Sequence, residues 1–110
     1  MASVQKTLMS WNIWEITDRE LLNLILGRPG GKTTILIIDL ILQGPLNKNQ
    51  IAKTLNLDYK TVSYHINIFT VHEYITETKC ENIYFYHPSD KLFGSMKEYK
   101  LLREQILNQK

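Results

Sequence analysis

Lys60, Ser63, Tyr64 and Asn67 lie close together in the chain, interleaved with Val62, Ile66 and Phe69. On a helix turning about 100° per residue, the apolar three share one side and the polar four lie on or near the other. A lysine there supplies charge to a phosphate, an asparagine can pair with an adenine edge, and a serine or tyrosine can reach bases or phosphates. This is the chemistry of reading a duplex rather than of breaking a bond. Asn47, Lys48 and Thr61 fall at or near helix starts, where free amides and the helix dipole favour a phosphate, although such residues also serve as ordinary caps.

Other chemistry is less well supported. Residues 27–33, Gly-Arg-Pro-Gly-Gly-Lys-Thr, have the composition of a phosphate-cradling loop and precede the apolar run ending at Asp39. The spacing fails, because the first glycine of that pattern would have to replace Leu26, and Asp39 follows within two helical turns rather than on a separate strand. An enzymatic reading would need nucleotide binding to revive it. Cys80 is alone, and His65, His72 and His87 show no paired ligand spacing, so no metal site and no cofactor is expected. No Ser/His/Asp or Cys/His set stands out, and no catalytic residue is assigned.

Composition bounds these readings. The 110 residues are 44% hydrophobic, with Lys+Arg 13 against Asp+Glu 11. This is enough for one self-sufficient core, and the lone cysteine excludes an internal disulfide framework. The mild positive charge permits a local nucleic-acid patch without arguing for one. Residues 1–14 lack the charged-then-apolar layout of a secretory signal, and the apolar stretch at 35–42 is broken by Asp39 and falls far short of a bilayer span. A cytoplasmic protein with no membrane partner is expected.

The positioning elements follow from caps and periods. Thr17 and Glu20 have the spacing of a capping box for a helix over about 18–26, ended by Gly27. A second helix starts near Lys32 or Thr33 and stops at Gly44-Pro45; being apolar on nearly every side, it should be central. Asn47 and Gln50 cap a third helix with Ile51, Ala52 and Leu55 inward. Residues 56–58 read as a tight turn, and Asp58 caps a fourth helix over about 59–73. The period then changes: residues 74–79 and 83–86 read as two strands around a polar turn. Beyond Pro88, Ser89 or Asp90 caps a last helix with Leu92, Met96, Tyr99, Leu102 and Ile106 on one stripe.

Two short helices joined by a tight turn, with Ala52 allowing close approach and Leu57 plugging the turn, have the layout of a helix-turn-helix, and the hairpin after them makes it winged. The stretch from Pro45 to Tyr86 resembles the winged helix-turn-helix of ArsR- or MarR-like prokaryotic regulators, especially small archaeal ones. Residues 51–69 carry the resemblance, above all Thr61, Val62, Ser63, Tyr64, His65 and Ile66. It implies an α+β, mainly α fold with a two-stranded wing and flanking N- and C-terminal helices. It also implies a homodimeric transcriptional regulator that binds double-stranded DNA with its recognition helix in the major groove.

Three features depart from that pattern. Glu73 stands where such regulators usually have glycine between the recognition helix and the wing, which puts a left-handed cap there in question. The wing sets Glu77 and Glu81 beside Lys79, leaving Lys79 as its one candidate DNA contact. Ile68 and Val71 fall off the inward face and require cover from the wing, a terminal helix or another subunit.

The expectation is therefore one domain over 1–110: an extension and helix over 1–31, a winged core over 32–87, and a C-terminal helix over 88–110. Leu92, Met96, Tyr99, Leu102 and Ile106 are assigned to dimerisation, pairing with a symmetry mate or with the Trp11 and Trp14 segment. The DNA-contacting set is Asn47, Lys48, Lys60, Thr61, Ser63, Tyr64, Asn67 and Lys79. The alternative is a winged-helix module that binds protein in a transcription or replication assembly. Six tyrosines and two tryptophans can line a small-molecule pocket, but they specify no effector, being more often core or interface residues.

Overall fold

A computed structural model describes residues 16–108. Among them, six helices and one hairpin follow in the order α1 (Arg19–Leu26), α2 (Gly31–Ile41), α3 (Lys48–Leu55), α4 (Tyr59–Val71), β1 (Ile75–Cys80), β2 (Ile83–Pro88), α5 (Asp90–Gly94) and α6 (Met96–Leu107). This is a mainly helical α+β arrangement with a two-stranded wing. Trp11 and Trp14 lie outside the described residues.

α2 is the centre of the core, packed against α1, α3, α6 and β2. Ile35, Ile37, Ile38 and Ile41 are buried, while Leu36 stays 40% exposed. At its start, Gly30 takes φ +86, and a Cβ there would sit 2.9 Å from His65 Cε1, so the turn into α2 requires glycine. α1 is capped by Asp18 rather than by the expected Thr17 and Glu20 pair. The Asp18 carboxylate accepts from the Leu21 amide, Thr17 donates to Glu98, and Glu20 turns to His72 and Lys91. Asp18 sits one residue closer to the first turn, and a tertiary partner draws Thr17 away.

α3 has the full capping box of Asn47 and Gln50. It ends with Asn56 at φ 54, where the Leu57 amide reaches back to the Ala52 carbonyl at 2.9 Å. That 6→1 bond is the Schellman ending, and it sets Leu57 against the core in the turn between the helices. α4 ends the same way. Glu73 takes φ 68, the Tyr74 amide reaches Phe69 O at 2.9 Å, and the Glu73 amide reaches Thr70 O at 3.0 Å. The left-handed cap put in question by the missing glycine is therefore present, adopted by a glutamate. The accompanying apolar contact is between Phe69 and Tyr74, ring centroids 6.4 Å apart.

The hairpin pairs Ile75 with Pro88 through Cys80 with Ile83, so the turn is Glu81-Asn82, both at positive φ. Two such residues match the twist of paired strands. Leu46, just before α3, exchanges backbone bonds with Tyr86 and ties the wing to the helix-turn-helix. The single last helix expected from the sequence is broken at Gly94-Ser95 into α5 and α6. A Gly/Ser pair is a common kink site, and here the Ser95 hydroxyl turns away to donate to Asp18 at 2.6 Å.

Candidate nucleic-acid interface

α4 is divided as its spacing predicts. Val62 and Ile66 are fully buried and Phe69 nearly so, while Lys60, Tyr64 and Asn67 are exposed and Ser63 is half-exposed. Tyr59, outside the set that spacing singles out, lies beside this face at 49% exposure. A signal for it exists in the sequence, since it is one residue ahead of Lys60.

One side chain of α3 reaches across to that face. Lys48 Nζ donates to Ser63 Oγ and to Asn67 Oδ1, each at 2.9 Å, and lies 5.5 Å from the centre of the Tyr86 ring on the wing. Three of the residues singled out by sequence, Lys48, Ser63 and Asn67, thus form one polar cluster between α3, α4 and β2. The others stand apart from it. Asn47 is occupied by its capping box: its side chain accepts from the Gln50 amide and its own amide donates to Gln50 Oε1. Thr61 donates to Asp58 Oδ2, so the Asp58 carboxylate binds a side chain instead of capping an amide, and it puts negative charge at the start of α4. Lys60 projects to solvent, and Lys79 lies over Tyr84 on the wing, 5.8 Å from the ring centre.

The wing face is less cationic than the helix face. Glu77, Lys79 and Glu81 are all exposed, and Tyr86 donates to Glu77 Oε2 at 2.8 Å. Burial, followed by that carboxylate, pushes the Tyr86 phenol well above its usual range, so it remains a donor. Asn47, Lys48, Asn49, Tyr59, Tyr84 and Tyr86 line a cleft between α3 and the wing.

The rear of α4 is held by groups that the sequence did not bring together. His65 is buried, with Nδ1 3.0 Å from an Arg28 nitrogen and 3.2 Å from Thr34 Oγ1. Burial first, and the Arg28 charge second, lower its pKa and keep the ring neutral. At the far end, Glu20 accepts from His72 at 2.7 Å and from Lys91 at 2.8 Å. The Lys91 bond, then the His72 bond, hold the Glu20 carboxyl below its ordinary range.

The stripe assigned to dimerisation is mostly turned inward. Leu92, Tyr99 and Leu102 are buried within the chain itself, and Met96 and Ile106 pack half-covered on the same core. Long-range bonds hold it there: Tyr99 donates to Asp39 Oδ1 at 2.7 Å, Arg103 donates to Asp39 Oδ2 at 2.8 Å, and together they bind α6 to α2. Of the two apolar residues of α4 that required cover, Ile68 packs against the core but Val71 stays 78% exposed. Among the described residues no group of three or more His, Cys, Asp and Glu is placed to hold a metal, and no helix is long and apolar enough to cross a membrane.

No family model and no curated protein matches the chain. Solved structures do. The YusO protein of Bacillus subtilis superposes with a TM-score of 0.62 at 14% identity, covering 97% of this chain and 77% of that one. A MarR family protein from Bacillus stearothermophilus gives 0.58 at 12% identity, over 96% and 76%. A mutant of ZitR from Lactococcus lactis gives 0.56 at 19% identity over 68% of this chain, which spans only 53% of ZitR. At these identities the likeness is one of fold, and the chain has the winged helix-turn-helix fold seen in MarR-family proteins.

Proposed function

We propose that the protein is a non-catalytic transcriptional regulator that binds double-stranded DNA as a homodimer, with α4 in the major groove. The supporting observation is the two-sided character of α4. Its buried face fixes the helix on the core, while Lys60, Tyr64 and Asn67 stand in solvent and Lys48 clamps Ser63 and Asn67 from α3. Lys60, Lys48, Asn47, Thr61 and Lys79 are assigned to the phosphate backbone, and Ser63, Tyr64 and Asn67 to base edges. A two-fold dimer would present two such helices to successive major grooves about 34 Å apart, which implies a palindromic site.

The test is selection of bound sites from random duplex DNA at two salt concentrations, with light scattering in parallel. An enriched palindrome bound at about 10⁻⁸ M or tighter supports the reading. A monomer at micromolar concentration removes the two-fold geometry, and absence of binding at low salt removes the DNA reading.

The wing favours a second reading as a protein-binding module. Glu77 and Glu81 offset Lys79, and Ile83 and Tyr84 are exposed at 48% and 44% near its tip. That reading requires protein binding insensitive to salt and little affinity for duplex DNA.

A further inference from the structure

The loop between α1 and α2 carries a guanidinium that no part of the proposed function has used. Arg28 Nε donates to the Leu24 carbonyl at 3.0 Å, and one terminal nitrogen donates to His65 Nδ1 at 3.0 Å. The other terminal nitrogen is buried with no hydrogen-bond partner among the described residues. The guanidinium carbon lies 5.4 Å from the centre of the Tyr64 ring and 5.8 Å from that of Phe69, so the group is held among aromatic faces. The His65 ring meets Tyr64 edge-on, centroids 5.2 Å apart and planes at 74°. Tyr64 is nonetheless 56% exposed on the outer side of α4.

We propose that Arg28 is a positioning residue for sequence recognition: it fixes the Tyr64 ring in the orientation in which α4 presents it to a base pair. The inference rests on the DNA reading above and names a determinant outside the helix-turn-helix. An exposed tyrosine would otherwise choose among rotamers, and ordering it on binding would weaken the complex. Arg28 and His65 restrict the ring beforehand. The support is itself fixed, because Arg28 has only donors and so requires His65 Nδ1 as acceptor, which puts the proton of the neutral ring on Nε2. Gly30 completes the seat, since any Cβ there would strike the His65 ring. Arg28 touches recognition through Tyr64 and has no role at a phosphate.

The experiment compares site selection from random duplex DNA for the wild type, Arg28→Met, Tyr64→Ala and the double variant, with salt dependence of binding to a non-selected duplex. Arg28→Met is expected to reduce base preference by about three- to tenfold, the range a lost cation–π contact allows, at the same base pairs that Tyr64→Ala affects. The double variant should lose no more than Tyr64→Ala, and affinity for non-selected duplex and its salt slope should not change. Full preference in Arg28→Met, or a loss at other base pairs, overturns the proposal. So does a uniform loss with a smaller salt slope, which would make Arg28 a phosphate contact. A wild type that enriches no sequence overturns the DNA reading and this inference with it, whereas the other failures leave that reading standing. Should Arg28→Met not fold, Arg28→Lys keeps the charge and stem but cannot serve Leu24 and His65 together. It is expected to show the same partial loss and a displaced Tyr64 ring signal by NMR without DNA, and unchanged Tyr64 signals would overturn the proposal.

Discussion

The ammonium of Lys48 lies 2.9 Å from Asn67 Oδ1, so the residue that opens α3 is bonded to a base-reading candidate on α4. If Asn67 turns its amide to an adenine edge, Lys48 loses that acceptor and can direct the released N–H to a phosphate while it still donates to Ser63. Asn67→Ala is therefore expected to relax base preference while leaving the salt slope of binding unchanged. Lys60→Ala should weaken binding to all sequences and reduce the slope by about 1. Equal losses across sequences from both substitutions would remove the division of roles.

Asp18 joins three parts of the fold. Its carboxylate accepts from the Leu21 amide at 3.0 Å, from Tyr74 Oη at 2.7 and 2.8 Å, and from Ser95 Oγ at 2.6 Å. Burial opposes its charge, but the bonds from Ser95, Leu21 and Tyr74 outweigh it and hold its pKa below the usual value. The stability it contributes is present above the ordinary carboxylate range and is lost as pH falls through the lowered folded pKa. Asp18→Ala is expected to cost about 2–3 kcal/mol in urea unfolding, a cap and two side-chain bonds together. A loss no greater than that of the exposed Asp90→Ala would refute this role.

The left-handed glutamate at the end of α4 carries backbone strain. Glu73→Gly keeps the Schellman bonds and removes the Cβ, so it should raise stability by about 1 kcal/mol. Gly30→Ala should do the opposite, because φ +86 and the His65 ring both resist a side chain. Urea midpoints of the two variants falling on the same side of the wild type would contradict this account.

His65 predicts an acid sensitivity. Its folded pKa is lowered, first by burial and then by Arg28, whereas the unfolded ring titrates near about 6.5. Stability is thus complete above that value and declines as pH falls below it, through the window down to the folded pKa, because only the unfolded state readily takes the proton. His65→Gln should flatten this decline below about pH 6.5, and an unchanged slope would assign the acid sensitivity elsewhere.

What the sequence determined by itself is what neighbouring residues control. The Asn47–Gln50 box, the turn at residues 56–58, the inward set of Val62, Ile66 and Phe69, and the change of period after Tyr74 all depend on spacings of a few residues, and the helix-turn-helix and wing follow from them. Pairings between distant residues had no such signal. Asp18 displaced Thr17 as a cap because Glu98 draws the Thr17 hydroxyl away, while Tyr74 and Ser95 converge on the Asp18 carboxylate. The last helix broke at the Gly94-Ser95 pair, where the Ser95 hydroxyl bonds Asp18, and its stripe packed into the chain's own core, with Asp39 holding Tyr99 and Arg103 beside it. Lys48 meets Asn67, and Arg28 reaches Tyr64, only once α1, α3 and α4 share a core. Local periodicity sets which face of a helix is buried, but the partner of a long polar side chain is decided by which elements the packed core brings within hydrogen-bonding distance.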